Sequence, residues 1–394
     1  MTTTEAEVDS ARGWLVTAAA VTSTFATFGV AYSFGAFFDA MSEEFDVGSG
    51  QTAFFFSLTI SLSFILGLFT GRWADRVGPR PVLLAAAASL VGGLLATAAV
   101  QNIWLGYLTY GLGVGFAVAC GYVPMVSVVG SWFVRRRAAA LGVAVAGIGL
   151  GTLIGSPVAA ALIDATSWRT TYVIFGIVGG VLLLGAASVA ERGPAAQPTD
   201  KPRSLRELLR LRDFAILYVA SLFGTFGLFV PFVFLADYAE GEGIGSVPAA
   251  TLVGVIGGSS VIGRLALGSL ADRLDLNRLY IGSFSVMAAS HFVWLGAGGR
   301  YWQLVLYAAV LGLGYGGFIA LSPAVAAQRF GLTGLGGVLG TLYTSAAVGS
   351  LGGPPLAGVL IDGPGYSTAI TFAGLMTVAA TVVLLPLTRL EPQT

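Results

Sequence analysis

Residues that build common catalytic and metal sites are almost absent from this sequence. Among 394 residues there is one cysteine, Cys120, and one histidine, His291. A disulfide joins two cysteines, zinc sites use clusters of cysteine and histidine, and a Ser-His-Asp triad needs a histidine beside its nucleophile. We therefore predict a protein that is not an enzyme and that binds neither a metal nor another cofactor.

Charged side chains are scarce as well. They make up 10% of the chain, whereas hydrophobic residues make up 56% and the mean hydropathy is +0.84. A soluble domain carries about 25% charged residues, so this chain has too few to cover a surface exposed to water. We expect a lipid bilayer around the protein, and neither a nucleic acid nor an obligate protein partner.

Long apolar runs are what the sequence has in abundance. A bilayer core about 30 Å thick needs roughly 20 helical residues for each crossing, and runs of that length recur from end to end. We predict twelve membrane-spanning helices, at residues 14–38, 51–71, 80–100, 103–129, 138–163, 169–190, 213–238, 248–270, 279–297, 301–327, 335–361 and 367–388.

The few charges are distributed unevenly across the predicted membrane. If the N-terminus is inside, 17 of the 20 lysines and arginines lie in cytoplasmic segments, while acids such as Glu43, Asp46 and Glu240 lie outside. Short cytoplasmic loops are enriched in lysine and arginine, so this distribution sets the orientation. The start, "MTTTEAEVDSARG", is acidic where a signal peptide is basic, so we expect the first helix to be retained. We predict a multi-pass protein of the cell membrane with both termini in the cytoplasm.

A polar, basic stretch from Glu191 to Asp213 divides the spans into six and six, and the two halves share sequence patterns. "GRWADRVG" after span 2 is matched by "GSLADRLD" after span 8, and "GSPVAAALID" in span 5 by "GPPLAGVLID" in span 11. Such repeats are typical of transporters whose halves move around a site between them. We predict an all-α polytopic membrane protein of two pseudo-symmetric six-helix bundles, with a tail at 1–13, bundles at 14–190 and 213–388, a linker at 191–212 and a tail at 389–394.

One charge is predicted to lie inside a span, which is Arg264 in "VIGRLALGSLAD". An arginine there costs a few kcal/mol, so it normally faces a cavity or a partner, and we find no acid well inside another span. A mobile anion would supply the missing partner. Because Arg264 is six residues, about 9 Å of helix rise, from the predicted end of its span, it could instead extend to lipid phosphates or to Asp272.

The loop "GRWADRVGPR" resembles the motif between spans 2 and 3 of major facilitator superfamily transporters, and the second copy lies between spans 8 and 9 as in that family. The resemblance covers the whole chain and implies a gate at the inner face; the alternative is that these arginines only set topology. It assigns this gating role to Gly71, Arg72, Asp75, Arg76, Gly78, Arg80, Gly268, Asp272 and Arg273, with Arg136 and Arg137 in the loop after span 4.

A narrower resemblance joins "SWFVRRRAAALGVAVAGIGLG", "YSFGAFF" and the pair Tyr122 and Pro124 to the monocarboxylate transporter family and its bacterial oxalate:formate antiporter relatives. In that family an arginine of span 8 holds the substrate carboxylate, and Arg264 is at that position. Hydroxyl donors and an apolar wall would complete the site. The candidates are Tyr32, Tyr122, Tyr315, Tyr343 and Phe318.

The resemblance implies a secondary transporter that moves a small monocarboxylate, such as lactate or pyruvate, with a proton by alternating access. Alternatives are an oxalate:formate type of exchanger, a drug exporter of the same fold, and a membrane sensor that does not transport. The oxalate exchangers carry a second cation in span 11, which "GTLYTSAAVGS" lacks. Drug exporters have a "GPxxGG" pattern in span 5, which "GSPVAAA" matches poorly, and a sensor would normally carry a soluble signalling domain.

Two departures from the animal members of that family bear on the proton. Ser260 occupies the place of their aspartate one turn before the arginine, and Tyr32 lies near the place of their span 1 lysine. We therefore predict that a proton, if it is transported, is not carried primarily by a carboxylate within a span. For His291, alone in span 9, we expect a hydrogen bond between helices.

Overall fold

The computed structural model describes residues 8–194, 207–208, 210–271, 273–331 and 335–388, without the side chains of Ala138 and Gly336. Within these residues every regular element is a helix. The predicted C-terminal tail, most of the linker, the first seven residues and Asp272 lie outside the described residues.

Twelve long helical segments lie within the described residues, and short loops make neighbours antiparallel within each half. Their bounds are α1 Ala11–Phe45, α2 Ser49–Val77, α3 Pro79–Ala98, α4 Ile103–Trp132, α5 Arg137–Ala165, α6 Trp168–Val189, α7 Arg212–Gly241, α8 Ser246–Leu270, α9 Leu276–Leu295, α10 Tyr301–Phe330, α11 Leu335–Asp362 and α12 Tyr366–Thr388. Most predicted spans differ from these bounds by only a few residues at either end.

Eleven of the described helices are long and apolar enough to cross a membrane. The exception is α9, which has 20 residues and is therefore long enough for a crossing of about 30 Å. Polar residues, among them Asn277, Arg278 and His291, lower its hydropathy. Asn277 and His291 are 8% and 3% exposed, so these two side chains lie between helices rather than against lipid.

Three of the helices are interrupted close to aromatic residues that matter below. In α1 the regular helix ends at Tyr32 and a 3₁₀ turn follows from Phe34 to Phe37. In α4 the helix is interrupted at Tyr122, just before Pro124, which lacks the N–H that would continue the hydrogen-bonding pattern. In α7 the interruption is at Phe229, again before a proline.

The helices of the two halves pack in the same pairwise pattern. In the first half α1 packs on α5, α3 on α6 and α2 on α4; in the second half α7 packs on α11, α9 on α12 and α8 on α10. Each pair of the second set is the counterpart of one in the first, six helices later. The structure therefore has the two-fold repeat that the sequence patterns predict.

Small residues set the closeness of several of these pairs. A Cβ atom on Gly151 would meet the backbone of α1 at Phe25 and Gly29, and one on Gly353 would meet the α7 backbone at Phe226. Without a hydrophobic driving force between helices in lipid, such close backbone packing supplies much of the attraction.

The halves meet along α5 with α8, α2 with α11, and α1 with α7. We call the end of the bundle where α2, α6 and α8 finish the linker end, and the opposite one the far end. At the far end Phe38 contacts Phe234 at 5.1 Å between ring centroids, and a Cβ on Gly35 would lie 2.7 Å from the Phe232 carbonyl oxygen. Going toward the linker end, the last hydrogen bond between described residues of the two halves is that of Arg264. The last ring contact between the halves is that of Tyr343.

Candidate functional site

Arg264 lies on α8 where that helix faces α5 of the other half. The residue is 4% exposed, and its Nη1 donates to the Val145 carbonyl oxygen at 2.5 Å. The side chain therefore points into the interface between the halves and does not extend to the end of the helix. Asp272, the alternative partner expected from the sequence, lies outside the described residues.

One edge of the Arg264 guanidinium is unused. Nε and Nη2 are buried and have no hydrogen-bond partner among the described residues, whose ion pairs do not include Arg264 either. The N–H bonds of Nε and Nη2 lie side by side in the guanidinium plane, which is the arrangement that matches the two oxygens of a carboxylate. The site thus has a cationic edge that suits one carboxylate.

Two tyrosines connect this cation to the other half. The Arg264 guanidinium carbon lies 5.5 Å from the centre of the Tyr315 ring, within the range of a cation–π interaction. The Tyr315 hydroxyl is 3.3 Å from that of Tyr32. Since Tyr32 belongs to α1 and Tyr315 to α10, this hydroxyl pair crosses the interface between the halves.

Aromatic rings pack around the Tyr32 ring. Tyr32 contacts Phe232 at 4.6 Å and Phe28 at 5.2 Å between ring centroids. Phe28 in turn contacts Tyr122 at 5.5 Å between ring centroids. The structure therefore brings three of the predicted tyrosines together with Arg264. Phe28 and Phe232 were not predicted, since nothing distinguishes them from other phenylalanines in the sequence.

The two remaining predicted site residues lie apart from this group. Tyr343 packs against Phe64 at 6.0 Å between ring centroids. Phe318 packs on α9, at 5.2 Å from the Phe284 ring. No described contact joins Phe318 to Arg264, so its ring lines the interior of the second half.

The backbone around Arg264 depends on a glycine of α10. A Cβ atom on Gly316 would collide with the Ser260 carbonyl oxygen and would lie 2.8 Å from the Arg264 amide nitrogen. A side chain at residue 316 would therefore push α8 away from α10. Gly316 positions the backbone of Arg264, and it directly follows Tyr315.

A second buried arginine was missed by the sequence analysis, which had Arg264 as the only arginine within a span. Arg329, on the last turn of α10, is 1% exposed. Its Nη1 donates to Asp213 Oδ2 at 2.9 Å and its Nη2 to the Leu387 carbonyl oxygen at 2.5 Å. Asp213 is equally buried. This pair joins α7, α10 and α12, so its role is in the packing of the second half.

The residues of the predicted gate lie at the linker end. Gly71 faces α4, where a Cβ would be 3.4 Å from Val123, and Gly78 has a φ of +92° in the turn between α2 and α3. Gly268 has open space beside it. The other described residues of the predicted gate have exposed side chains, and none of these forms an ion pair with another described residue. They are Arg72, Asp75, Arg76, Arg80, Arg136, Arg137 and Arg273.

A network beside this gate holds the first half together at the linker end. Arg192 donates to the Asp75 and Arg76 carbonyl oxygens, which lie at the end of α2. The Asp9 carboxylate accepts from the Arg135 and Arg136 amides, and these bonds lower the pKa of Asp9 below its ordinary value of 3.8. Likewise, hydrogen bonds from Arg12 lower the pKa of Glu191.

The sequence predicts that His291 joins two helices by a hydrogen bond, but its partner among the described residues lies on its own helix. Its Nδ1 is 2.9 Å from the carbonyl oxygen of Met287, one turn earlier on α9. A histidine on a helix can bond to its own preceding turn, so the prediction was wrong about the partner. No group of three or more metal-ligating residues occurs among the described residues.

Comparison with known families identifies the class of protein that this fold and site define. The sequence profile of the Major Facilitator Superfamily matches residues 20–299 and 262–394. The chain belongs to the major facilitator superfamily. It is therefore a multi-pass membrane transporter and not an enzyme, and the resemblance described from the loop motifs is confirmed.

Several similar proteins are monocarboxylate transporters. Monocarboxylate transporter 3 of Rattus norvegicus is 30% identical over 395 residues, which cover 95% of this chain and 80% of that protein. Monocarboxylate transporter 11 of Homo sapiens is 29% identical over 411 residues, covering 98% and 84%. An MFS-type transporter of Gibberella moniliformis is 29% identical over 361 residues, covering 89% and 85%.

A solved structure shows the same fold. It is the crystal structure of a bacterial homologue of the human lysosomal transporter Spinster in an inward-facing and occupied conformation. The TM-score is 0.74 at 14% sequence identity, covering 95% of this chain and 96% of that chain. At this identity the likeness concerns the fold alone.

Proposed function

We propose that this transporter moves a small monocarboxylate, of the size of lactate or pyruvate, and that Arg264 binds the carboxylate. The observation that carries the proposal is the unpaired Nε and Nη2 edge of a buried arginine at the interface between the halves. A buried guanidinium with unpaired N–H groups is unfavourable by about 1–3 kcal/mol for each group. A carboxylate would satisfy both, and similar proteins are named monocarboxylate transporters.

The surroundings of Arg264 favour a monoanion with an apolar body. The rings of Phe28, Tyr122 and Tyr315 would pack against a short carbon chain, and the Tyr32 and Tyr315 hydroxyls would donate to lone pairs that Arg264 leaves open. A dianion such as oxalate would place a second charge where the described residues offer no further cation. We therefore favour monocarboxylate transport over oxalate:formate exchange.

Alternating access is the mechanism that we propose. The hydroxyl pair of Tyr32 and Tyr315, the bond from Arg264 to Val145 and the far-end contacts all join the halves, so a rocking motion would make and break them. We assign the linker end to the cytoplasm, because most lysines and arginines lie there, and the membrane to the cell membrane. The far-end contacts then correspond to a state that is closed to the outside.

Asp75 and the arginines around it would form the inner gate of this cycle. In the state described here Asp75 has no ion pair with a described residue, which suits an inner gate that is not engaged. Asp75→Asn should leave the preference among carboxylates intact and should shift the balance between inward- and outward-facing states. Labelling of cysteines introduced on either side would detect that shift, and unchanged labelling on both sides would count against the gate.

Proton coupling rests on the family resemblance and on which carboxylates are available. Asp213 is a buried acid at the start of α7, but its carboxylate is already engaged by Arg329 within the second half. We propose that the proton travels with the substrate, on the acid itself or shared among Arg264, a tyrosine hydroxyl and water. The pH midpoint of uptake should then differ between two substrates of different acidity, whereas one midpoint for both would indicate a protein carboxylate as carrier.

Uptake into proteoliposomes tests the substrate assignment. Labelled L-lactate, pyruvate, butyrate and oxalate would be compared for wild type, Arg264→Lys, Arg264→Gln and the control Arg278→Lys, an exposed arginine of α9. Lysine keeps the charge but loses the planar pair of donors, so Arg264→Lys should impair uptake and Arg264→Gln should abolish it. Saturable uptake by Arg264→Gln at the wild-type KM would refute the site.

A further inference from the structure

Two aspartates end the repeated sequence of spans 5 and 11, and the substrate site does not account for them. "GSPVAAALID" ends at Asp164 and "GPPLAGVLID" ends at Asp362. Asp164 lies on the last turn of α5, and Asp362 is the last residue of α11. Both carboxylates are therefore at the far end, and both are exposed.

Each aspartate binds the first residue of a helix in the other half. The Asp362 carboxylate accepts from the Ser49 amide at 2.9 and 3.2 Å, where α2 begins. The Asp164 carboxylate accepts from the Ser246 hydroxyl, where α8 begins. The two bonds are related by the repeat, because α2 and α8 are counterparts and so are α5 and α11.

The chemistry of a helix N-terminus explains why an acid suits both places. The first amides of a helix have no partner within the helix, and the helix dipole favours a negative charge there. The space is also shaped for the carboxylate, since a Cβ on Gly48 would lie 2.6 Å from Asp362 Oδ2. Asp362 thereby caps α2, whereas Asp164 binds the side chain of the first residue of α8. Both bonds join the two halves, so they can form only while the far ends of the halves are together.

We infer that Asp164 and Asp362 are a pair of latches that stabilise the state in which the far end is closed. Opening of the far end separates α5 from α8 and α2 from α11, which breaks both bonds. The latches thereby set the ratio of the far-end-closed to the far-end-open state. This inference rests on the alternating-access cycle proposed above, but not on the identity of the substrate.

Spin-label distances across the far end test the latches. Labels would be attached at Gln101→Cys and Glu242→Cys in a Cys120→Ser background, which removes the single native cysteine, with the full chain in lipid nanodiscs. Pulsed electron–electron double resonance then reports the fractions of short and long distances. The variants are Asp164→Ala, Asp362→Ala, the double variant, and Ser246→Ala, which removes the donor to Asp164.

The ion pair between Glu44 and Arg169 provides a matched control. It also lies at the far end, at 3.0 Å, and its acid is partly exposed, but both residues belong to the first half. Glu44→Ala should therefore leave the distances unchanged. Asp362→Asn keeps an acceptor oxygen for the Ser49 amide, so it should change the distances less than Asp362→Ala.

Each single latch variant should raise the ratio of long to short distances roughly threefold to tenfold, and the double variant should raise it further. Ser246→Ala should reproduce the effect of Asp164→Ala. An unchanged distribution in the double variant, or an equal change in Glu44→Ala, would overturn the inference. A chain that shows the shift but takes up no carboxylate would refute the proposed substrate and leave the latches standing.

Discussion

Arg264 and Arg329 are both buried, yet their replacement by methionine should change stability in opposite directions. Methionine is unbranched and flexible like the stem of arginine, but it is shorter and carries no charge. In Arg329→Met the Asp213 carboxylate would remain buried, at 1% exposed, without its cation. Breaking a buried ion pair in this way lowers the free energy of unfolding by about 3–5 kcal/mol.

For Arg264→Met the balance is different, because Arg264 has no carboxylate partner among the described residues. The variant loses the bond from Nη1 to Val145, worth about 1.5–3 kcal/mol for a charged donor. It also removes two unpaired buried groups, Nε and Nη2, at about 1–3 kcal/mol each, together with the desolvation penalty of the charge. We expect a net stabilisation of about 1–3 kcal/mol in the empty protein.

Thermal unfolding of the purified protein can measure both changes. Cys120 is fully buried and is the only cysteine, so a thiol-reactive dye reports unfolding by its exposure. For 394 residues, an unfolding entropy of about 2.1 cal/mol/K per residue makes 1 kcal/mol equivalent to at least about 1 °C in Tm. Arg264→Met should raise Tm by at least about 1–3 °C, and Arg329→Met should lower it by at least about 3–5 °C.

The ligand adds a second measurement to the same experiment. L-lactate at 100 times its Kd would stabilise the wild type by about 2.7 kcal/mol, hence by at least about 3 °C. Arg264→Met should show no such increase. If Arg264→Met instead lowers Tm as much as Arg329→Met does, Arg264 has strong partners within the protein, and the argument from its unpaired edge is refuted.

Three further predictions concern residues that act on the site or on the ends of the helices. Gly316→Ala should raise the KM for carboxylate uptake tenfold or more because its Cβ would displace the Arg264 backbone, whereas the control Gly282→Ala, which has open space, should not. Asp9→Ala should lower Tm at neutral pH, because the lowered pKa of Asp9 means that the folded state favours its charged form. The difference in Tm between wild type and Asp9→Ala should be complete above about pH 4 and should disappear as the pH falls below that value. In Arg192→Ala the end of α2 would lose a cationic partner for the Asp75 and Arg76 carbonyls, so hydrogen exchange at Asp75 and Arg76 should become faster while exchange in α9 stays the same.

The fold was accessible from the sequence because its signals are long and repeated. Each span is about as long as a bilayer requires or longer, and the charges alternate from loop to loop, so errors of a few residues at the ends did not change the number or order of the helices. The interruptions at Tyr32 and Phe229 were not predicted. Pro231 lies two residues after Phe229, so that interruption does have a local mark, whereas no proline follows Tyr32 in α1.

The candidate site was only partly accessible. Arg264 could be found because a charge in an apolar run is conspicuous, and Tyr122 because it lies in a family pattern. The partner of Arg264 is the carbonyl oxygen of Val145, and every residue has a carbonyl, so the sequence holds no sign of this bond. Phe318 was selected only for its aromatic ring. That ring packs on Phe284 of α9 and has no described contact with Arg264.

Arg264 and Arg329 show that the position of a charge in the sequence does not predict which partner it meets in the fold. Arg329 was assigned to a cytoplasmic loop because it is near the end of a run, and Arg264 to a site because it is inside one. Burial is nearly the same for both. They differ in what faces them: Asp213 begins α7 and meets Arg329 only because α7, α10 and α12 converge at the linker end. Around Arg264 the converging helices supply tyrosine rings and one carbonyl, but no carboxylate among the described residues. A buried cation that the fold leaves without an anion, at the interface between two halves of a transporter, is the strongest physical reason to expect the anion from outside.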